Sequence, residues 1–128
     1  MAKKILIVDD EQDLRDLLTT FLNREGFETE VAANGKEAFD KIQVLHPDLV
    51  ISDIRMPVWD GFELLRNVTQ LGGPRTPMLF ISGFVAGDAT ELTDSPNFAG
   101  FMAKPVKRQT LIDVVKAILA KSDGPQVI

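Results

Sequence analysis

Cysteine is absent from the 128 residues, which removes disulfides, thiolate chemistry and Cys-type zinc sites together. Histidine occurs once, at position 46 beside Pro47; it reads as an exposed helix-end residue and is assigned no role. No apolar run approaches membrane-spanning length, and the short run between Lys4 and Asp9 is too brief for a signal-peptide core. Positive charge is in deficit. Fourteen basic against 19 acidic residues leave a net charge of −5, so nucleic-acid binding through counterion release is not expected of this chain. Linkers, internal repeats and low-complexity tracts are missing as well. What remains is an apolar fraction of 45% and a charged fraction of 26%, the composition of a packed domain rather than a disordered chain. A soluble, cytoplasmic single domain is expected.

Two hydrophobic periods alternate along the chain. Ile5-Leu6-Ile7-Val8, Leu49-Val50-Ile51 and Met78-Leu79-Phe80-Ile81 are short apolar runs without alternation, the signature of strands buried on both faces. Phe27 to Ala32 alternates like an edge strand, and Phe98 to Ala103 reads as a fifth strand. Between them lie helical stripes: Leu14, Leu17, Leu18, Phe21 and Leu22; Ala38, Phe39, Ile42 and Leu45; Leu64, Leu65, Val68 and Leu71; and Leu111, Val114, Val115, Ile118 and Leu119. Gly26, Pro47, Gly72-Gly73-Pro74 and Gly124-Pro125 punctuate these helices. Asn34 with Glu37 forms a capping-box pattern, and Asp60 with Glu63 marks another helix start. Val85 to Pro96 is the weakest stretch, with a short helix between Asp88 and Thr93. Alternating strands and helices require crossovers, hence a parallel sheet in an α/β three-layer sandwich with helices on both faces.

Parallel sheets bind ligands at the carboxyl ends of their strands. Those ends are Asp9-Asp10, Asp53, Ser82 and Lys104, each pair or residue from a different strand. Singly, each has an ordinary reading as a helix-start acid, a turn acid, a loop hydroxyl or a surface lysine. Together on one rim they do not. Crowded carboxylates raise each other's pKa unless a cation intervenes, and oxygen donors without His or Cys suit Mg²⁺. A carboxylate nucleophile, a hard cation, an ammonium and a hydroxyl make up the parts needed for phosphoryl transfer to an aspartate.

Across nearly its whole length the sequence resembles the receiver domain of a two-component response regulator. The resemblance rests on Asp9-Asp10 after Ile-Leu-Ile-Val, Asp53 after Asp48-Leu49-Val50-Ile51-Ser52, Met56-Pro57-Val58-Trp59-Asp60-Gly61, Ser82-Gly83 and Lys104-Pro105. It implies a flavodoxin-like, five-stranded sheet in the order 2-1-3-4-5, with residues 1–122 as the receiver and 123–128 as a tail or linker start. By the same resemblance Asp53 is the phosphoacceptor, and Asp9, Asp10, Asp53 and the Arg55 backbone carbonyl hold Mg²⁺. Ser82 and Lys104 bind the phosphoryl group, Phe101 is the switch aromatic, and Lys104-Pro105 is a cis peptide. A sensor histidine kinase or phosphotransfer protein is the implied donor. The face formed by helix 4, strand 5 and helix 5 is the implied docking surface for a downstream protein, with neither nucleic acid nor membrane as a partner of this chain. The domain is expected to be an autocatalytic phosphoacceptor rather than a turnover enzyme.

Departures from the family pattern fall at tuning positions. Trp59 replaces a usual methionine beside the site loop and is a candidate fluorescence reporter. Arg55 and Phe84 lie where the family sets dephosphorylation rate. Phe101 lacks the hydroxyl of the more usual tyrosine, so switching there must act through packing. Low charge in the fourth-helix region argues against the common salt-bridged receiver dimer. Competing readings are a receiver cut from a longer regulator or hybrid kinase, and a docking pseudo-receiver. An aspartate-nucleophile phosphatase would need an acid where Arg55 stands. A flavodoxin-like nucleotide binder would need a phosphate cradle where Asp9-Asp10-Glu11 stands.

Overall fold

The computed structural model describes residues 2–71, 75–83, 90–120 and 126–127. Its elements are β1 (Lys4–Val8), α1 (Gln12–Arg24), β2 (Glu28–Ala32), α2 (Gly35–Leu45), β3 (Leu49–Asp53), α3 (Gly61–Thr69), β4 (Met78–Ser82), α4 (Thr90–Thr93), β5 (Phe98–Ala103), α5 (Arg108–Leu119) and β6 (Gln126–Val127). All strand pairings are parallel, in the order β2-β1-β3-β4-β5-β6. Five strands thus stand in the expected order. Residues 126–127, expected in the tail, form a two-residue edge strand beside Gly100 and Phe101. The helix-breaking Gly72-Gly73-Pro74 and Gly124-Pro125, and residues 85–89 of the weak stretch, lie outside the described residues.

The apolar runs alternate between two cores. Ile5, Ile7, Leu49, Ile51, Leu79 and Ile81 pack with Leu18 and Leu22 of α1 and Leu111, Ile112 and Val115 of α5. Leu6, Val8, Val50, Met78 and Phe80 pack on the opposite face with Ala38, Ile42, Leu64, Leu65, Val68 and Leu92. A continuous apolar strand is therefore the only pattern that satisfies both layers. Each fully buried Leu, Ile or Phe contributes roughly 1.5–3 kcal/mol.

Two stripe residues miss the core. Leu17 is 43% exposed and Leu71 is 42% exposed. Leu17 lies one residue off the buried arc of α1, and α3 ends at Thr69, before Leu71 can join its inner face. Gly26 closes α1 with φ +90. At the end of α2, Pro47 disfavours right-handed helix at the preceding residue, and His46 turns left-handed (φ 48) as the helix cap. Asn34 Oδ1 accepts the Glu37 N–H at 2.9 Å, while Glu37 Oε1 accepts from Ala33 N–H at 2.7 Å, one residue before the cap itself. Asp60 Oδ1 likewise accepts from Glu63 N–H at 2.9 Å.

A bulge shapes the far side of the sheet. Met78 pairs with Phe98 but Leu79 pairs with Gly100, so Ala99 is an extra residue in β5. The extra residue flips the alternation. Phe98 and Phe101 consequently both face the α2–α4 core, while Met102 faces the other.

Candidate functional site

The strand order reverses between β1 and β3, so their carboxyl ends flank the crevice where sheets of this type hold ligands. Asp9 follows β1 and Asp53 ends β3; both are buried, and Asp10 is exposed. Oxygen atoms of the three carboxylates lie within 4.8 Å of one another, one from each residue. Lys104, at the end of β5, reaches across them: its Nζ lies 3.1 Å from Asp53 Oδ2, 3.5 Å from Asp9 Oδ2 and 4.0 Å from Glu11 Oε1.

Local backbone fixes the remaining lone pairs. Asp53 Oδ1 accepts the Ile54 N–H at 2.7 Å, and Asp9 Oδ1 accepts the Glu11 N–H at 2.8 Å. Ser52 is buried, and its Oγ donates to the Asp53 carbonyl at 2.8 Å. Gly61 lets the first turn of α3 press against the end of β3. A Cβ there would meet the Asp53 carbonyl oxygen at 2.8 Å and Ile54 Cα at 2.9 Å. The Gly61 N–H donates to Ile54 O at 2.7 Å.

Electrostatics follow from this crowding. Burial pushes the Asp9 carboxyl above the usual carboxylate range, and the Asp53 charge adds to the rise; the Glu11 N–H and Lys104 only partly oppose it. Burial pulls the Lys104 ammonium down, but its hydrogen bond to Asp53 and the charges of Asp53 and Asp9 outweigh that and leave it above the usual lysine range. One ammonium thus holds two buried carboxylates, and a third stands beside them. Three hard oxygen donors this close, with Asp9 disfavouring its own charge, form a donor set that fits a divalent cation such as Mg²⁺.

Ser82 is buried at the end of β4, and its carbonyl accepts the Lys104 N–H at 2.9 Å. Lys104–Pro105 is a cis peptide. Phe101 is half-buried against the α2–α4 core, two strand positions from Ala103, the partner of Ser82. Arg55 is exposed in the loop after β3. Trp59 lies farther along that loop, its ring 5.3 Å from Phe39 of α2. Phe84 lies outside the described residues.

Two contributors were not identified from sequence. Arg15 Nη1 donates to the Asp9 carbonyl at 2.6 Å, and Glu11 shares Lys104. Arg15 lies one helical turn into α1, and its back-reach to the strand end leaves no mark in hydrophobic periodicity. Glu11 is visible in the acid run, where it reads as part of the helix start.

Comparison with known proteins agrees with this geometry. The profile described as response regulator receiver domain matches residues 5–116. The response regulator receiver protein CpdR of Brucella abortus is 32% identical over 117 residues, covering 91% of this chain and 97% of that protein. Sporulation initiation phosphotransferase F of Bacillus subtilis is 33% identical, with 93% and 95% covered. Among solved structures, a CheY-like receiver domain protein from Methanospirillum hungatei superposes with a TM-score of 0.85 at 29% identity, covering 94% of this chain and 96% of that one. With the profile spanning most of its length, the chain belongs to the receiver domain family of two-component response regulators.

Proposed function

We propose that this receiver takes a phosphoryl group from a phosphohistidine onto Asp53, with Mg²⁺ held by Asp9, Asp10, Asp53 and the Arg55 carbonyl. The observation that carries the reading is the meeting of three carboxylate oxygens within 4.8 Å, with Lys104 Nζ 3.1 Å from Asp53 Oδ2. The bound cation supplies charge neutralisation on the phosphoryl oxygens and a template for in-line geometry.

The chain's own residues do the rest. The Ile54 N–H holds Asp53 Oδ1, which orients the carboxylate. Oδ2, released by Lys104, attacks phosphorus; the N–P bond breaks, and the imidazole leaves with the bonding pair and takes up a proton. Lys104 transfers its hydrogen bond from the carboxylate to a phosphoryl oxygen, and the Ser82 hydroxyl donates to another. No general acid on the receiver is required, so the domain acts as an autocatalytic phosphoacceptor.

Switching follows from the same two bonds. Moving a two-state equilibrium from 1:99 to 99:1 needs about 5.5 kcal/mol of differential binding. Charge-assisted bonds from Lys104 and Ser82, at about 1.5–3 kcal/mol each, are of that order. Movement of Ser82 toward the phosphoryl group would open space for Phe101, which the bulge at Ala99 aims at the α4 side. The signal then leaves through α4, β5 and α5 to a downstream protein, and a histidine kinase or phosphotransfer protein is the phosphodonor. Residues 1–122 are the functional unit, in the cytoplasm; no described helix is long and apolar enough to cross a membrane. Arg55, beside the acceptor, and Phe84 tune the phosphorylated lifetime.

Incubation with a small-molecule phosphodonor and Mg²⁺, read by intact mass, tests the reading. Wild type gains one phosphoryl group and Asp53→Asn gains none. Equal uptake by both, or none by wild type, overturns it.

A further inference from the structure

The loop between β3 and α3 carries a feature that the phosphoacceptor chemistry does not explain. Val58 has φ 68, a left-handed conformation that β-branched residues avoid. The residue is 70% exposed, so its own packing does not hold it there. The restraint comes from the next residue. The Trp59 carbonyl accepts the Gly35 N–H at 3.0 Å, and its ring lies 5.3 Å from the Phe39 ring. The Lys36 ammonium sits 5.5 Å from the Trp59 ring centroid and 6.0 Å from that of Phe39, within cation–π range. The fit is close: a Cβ on Gly35 would meet Trp59 O at 2.6 Å and Trp59 Cβ at 2.8 Å.

The gripping turn is itself tied to the other half of the site. The Asp9 N–H donates to Ala32 O at 3.1 Å. Ala33 N–H then bonds Glu37 Oε1, and Asn34 caps α2. From Asp9, contacts therefore run through the end of β2 and the first turn of α2 to Trp59, along the strained loop, and back to Asp53. This path joins the strand end that carries Asp9 to the one that carries Asp53.

We infer that Trp59 is a positioning residue, bracing the β3–α3 loop against α2 and so setting the divalent-cation affinity of the Asp9–Asp10–Asp53 cluster. The inference rests on the metal-site reading above. Mg²⁺ demands near-ideal octahedral geometry, so affinity depends on how firmly the loop is held before the ion arrives. Partners outside the ligand set typically change metal affinity by about 10–100-fold.

Calorimetric titration with MgCl₂ and amide hydrogen exchange without metal test the brace on the full chain. Trp59→Ala is expected to weaken Mg²⁺ binding by about tenfold and to speed exchange at the Gly35 and Gly61 amides. Trp59→Phe, still able to stack on Phe39 and receive Lys36, recovers most of both. In a Val58→Gly background the loop no longer resists its conformation, so Trp59→Ala costs less affinity there than in wild type; this double variant also serves if the single one folds poorly. Asn97→Ala, far from the loop, controls for general destabilisation and leaves Mg²⁺ affinity unchanged. Unchanged affinity in Trp59→Ala, with Gly35 exchange accelerated, overturns the brace while the metal site stands. Absence of Mg²⁺ binding by wild type overturns the metal-site reading and the brace with it.

Discussion

The two ends of the sheet use polar groups in opposite ways. At the amino end, Asp48 Oδ2 accepts the Lys4 N–H at 2.8 Å, and the Asp48 N–H returns to Lys4 O at 2.8 Å. Asn97 Nδ2 donates to Thr76 O at 2.8 Å, while its carbonyl accepts the Met78 N–H at 2.8 Å. A relay runs from Asn97 N–H to Ser95 Oγ, on to Thr69 Oγ1 and finally to Leu65 O. Each acceptor there meets a neutral donor fixed by the fold. At the carboxyl end backbone N–H groups hold one oxygen each of Asp53 and Asp9, but the other oxygens meet one another and a single ammonium on a flexible stem. Burial of polar groups alone does not mark a site; their partners do. The amino end is a satisfied knot, while the carboxyl end is a set of like charges that an arriving cation or phosphoryl group can rearrange.

The largest expected break in this contrast is Asp9→Asn. It replaces a charged carboxylate ligand with a neutral amide, so Mg²⁺ affinity should fall by more than the roughly 10–100-fold that loss of an outer partner costs. In the absence of metal the same change relieves a carboxylate that burial holds above its usual range. The unfolding free energy at neutral pH should therefore rise. Denaturant melts without divalent ions, alongside a calorimetric Mg²⁺ titration, read both signs; a variant that loses stability along with metal would make the rim as structural as the amino end.

Asn97→Ala is the converse. It strips the donor from Thr76 O at a buried position, at a cost of about 1–3 kcal/mol, and should leave Mg²⁺ affinity untouched. A change in affinity beyond twofold to threefold would show that the two ends communicate through β5.

Legibility in the sequence followed the same division. β1, β3 and β4 could be read because burial on both faces leaves an unbroken apolar run, and their ends then placed Asp9, Asp53 and Ser82 on one rim. The amino-end knot could not, because Thr69, Ser95 and Asn97 are ordinary loop and helix-end residues until the chain folds back on itself. The facing of Phe101 was equally hidden. Simple alternation from Phe98 would put it on the α1–α5 side, and only the extra residue at Ala99 brings it to the α4 side. Leu17 and Leu71 show the limit of periodicity: a stripe gives the side of a helix that tends inward, but not how wide an arc the neighbours cover. The left-handed Val58 contradicts its own propensity and is explained by Trp59, a contact no local pattern predicts.

Smaller effects come from the first turn of α2. Asn34→Ala removes the cap on Glu37 N–H and should cost about 1 kcal/mol in thermal or denaturant unfolding. It should also speed exchange at the Gly35 amide, since the helix start that grips Trp59 frays.

The smallest effect, and the sharpest in sign, separates two carboxylates by pH. The Ala33 N–H, and secondarily Lys41, hold Glu37 below its ordinary value against a modest burial penalty. Its stabilisation is present above the unfolded glutamate pKa and is lost as pH falls through the lowered folded one. Asp9, raised by burial, binds its proton more tightly when folded, so acidification through its raised pKa adds stability. The Asp9 gain falls above its unfolded value and the Glu37 loss falls below the unfolded glutamate value, so acidification from neutral pH to well below about pH 4 passes through the two in turn, with opposite signs. Glu37→Gln should lose less stability on acidification than wild type, and Asp9→Asn should lose more. The Glu37 difference will be slight, because its side chain is 43% exposed and solvent screens it. Denaturant midpoints across that pH range in metal-free buffer give the comparison, and a shallower slope for Asp9→Asn would mean that Lys104, rather than burial, sets the proton affinity of Asp9.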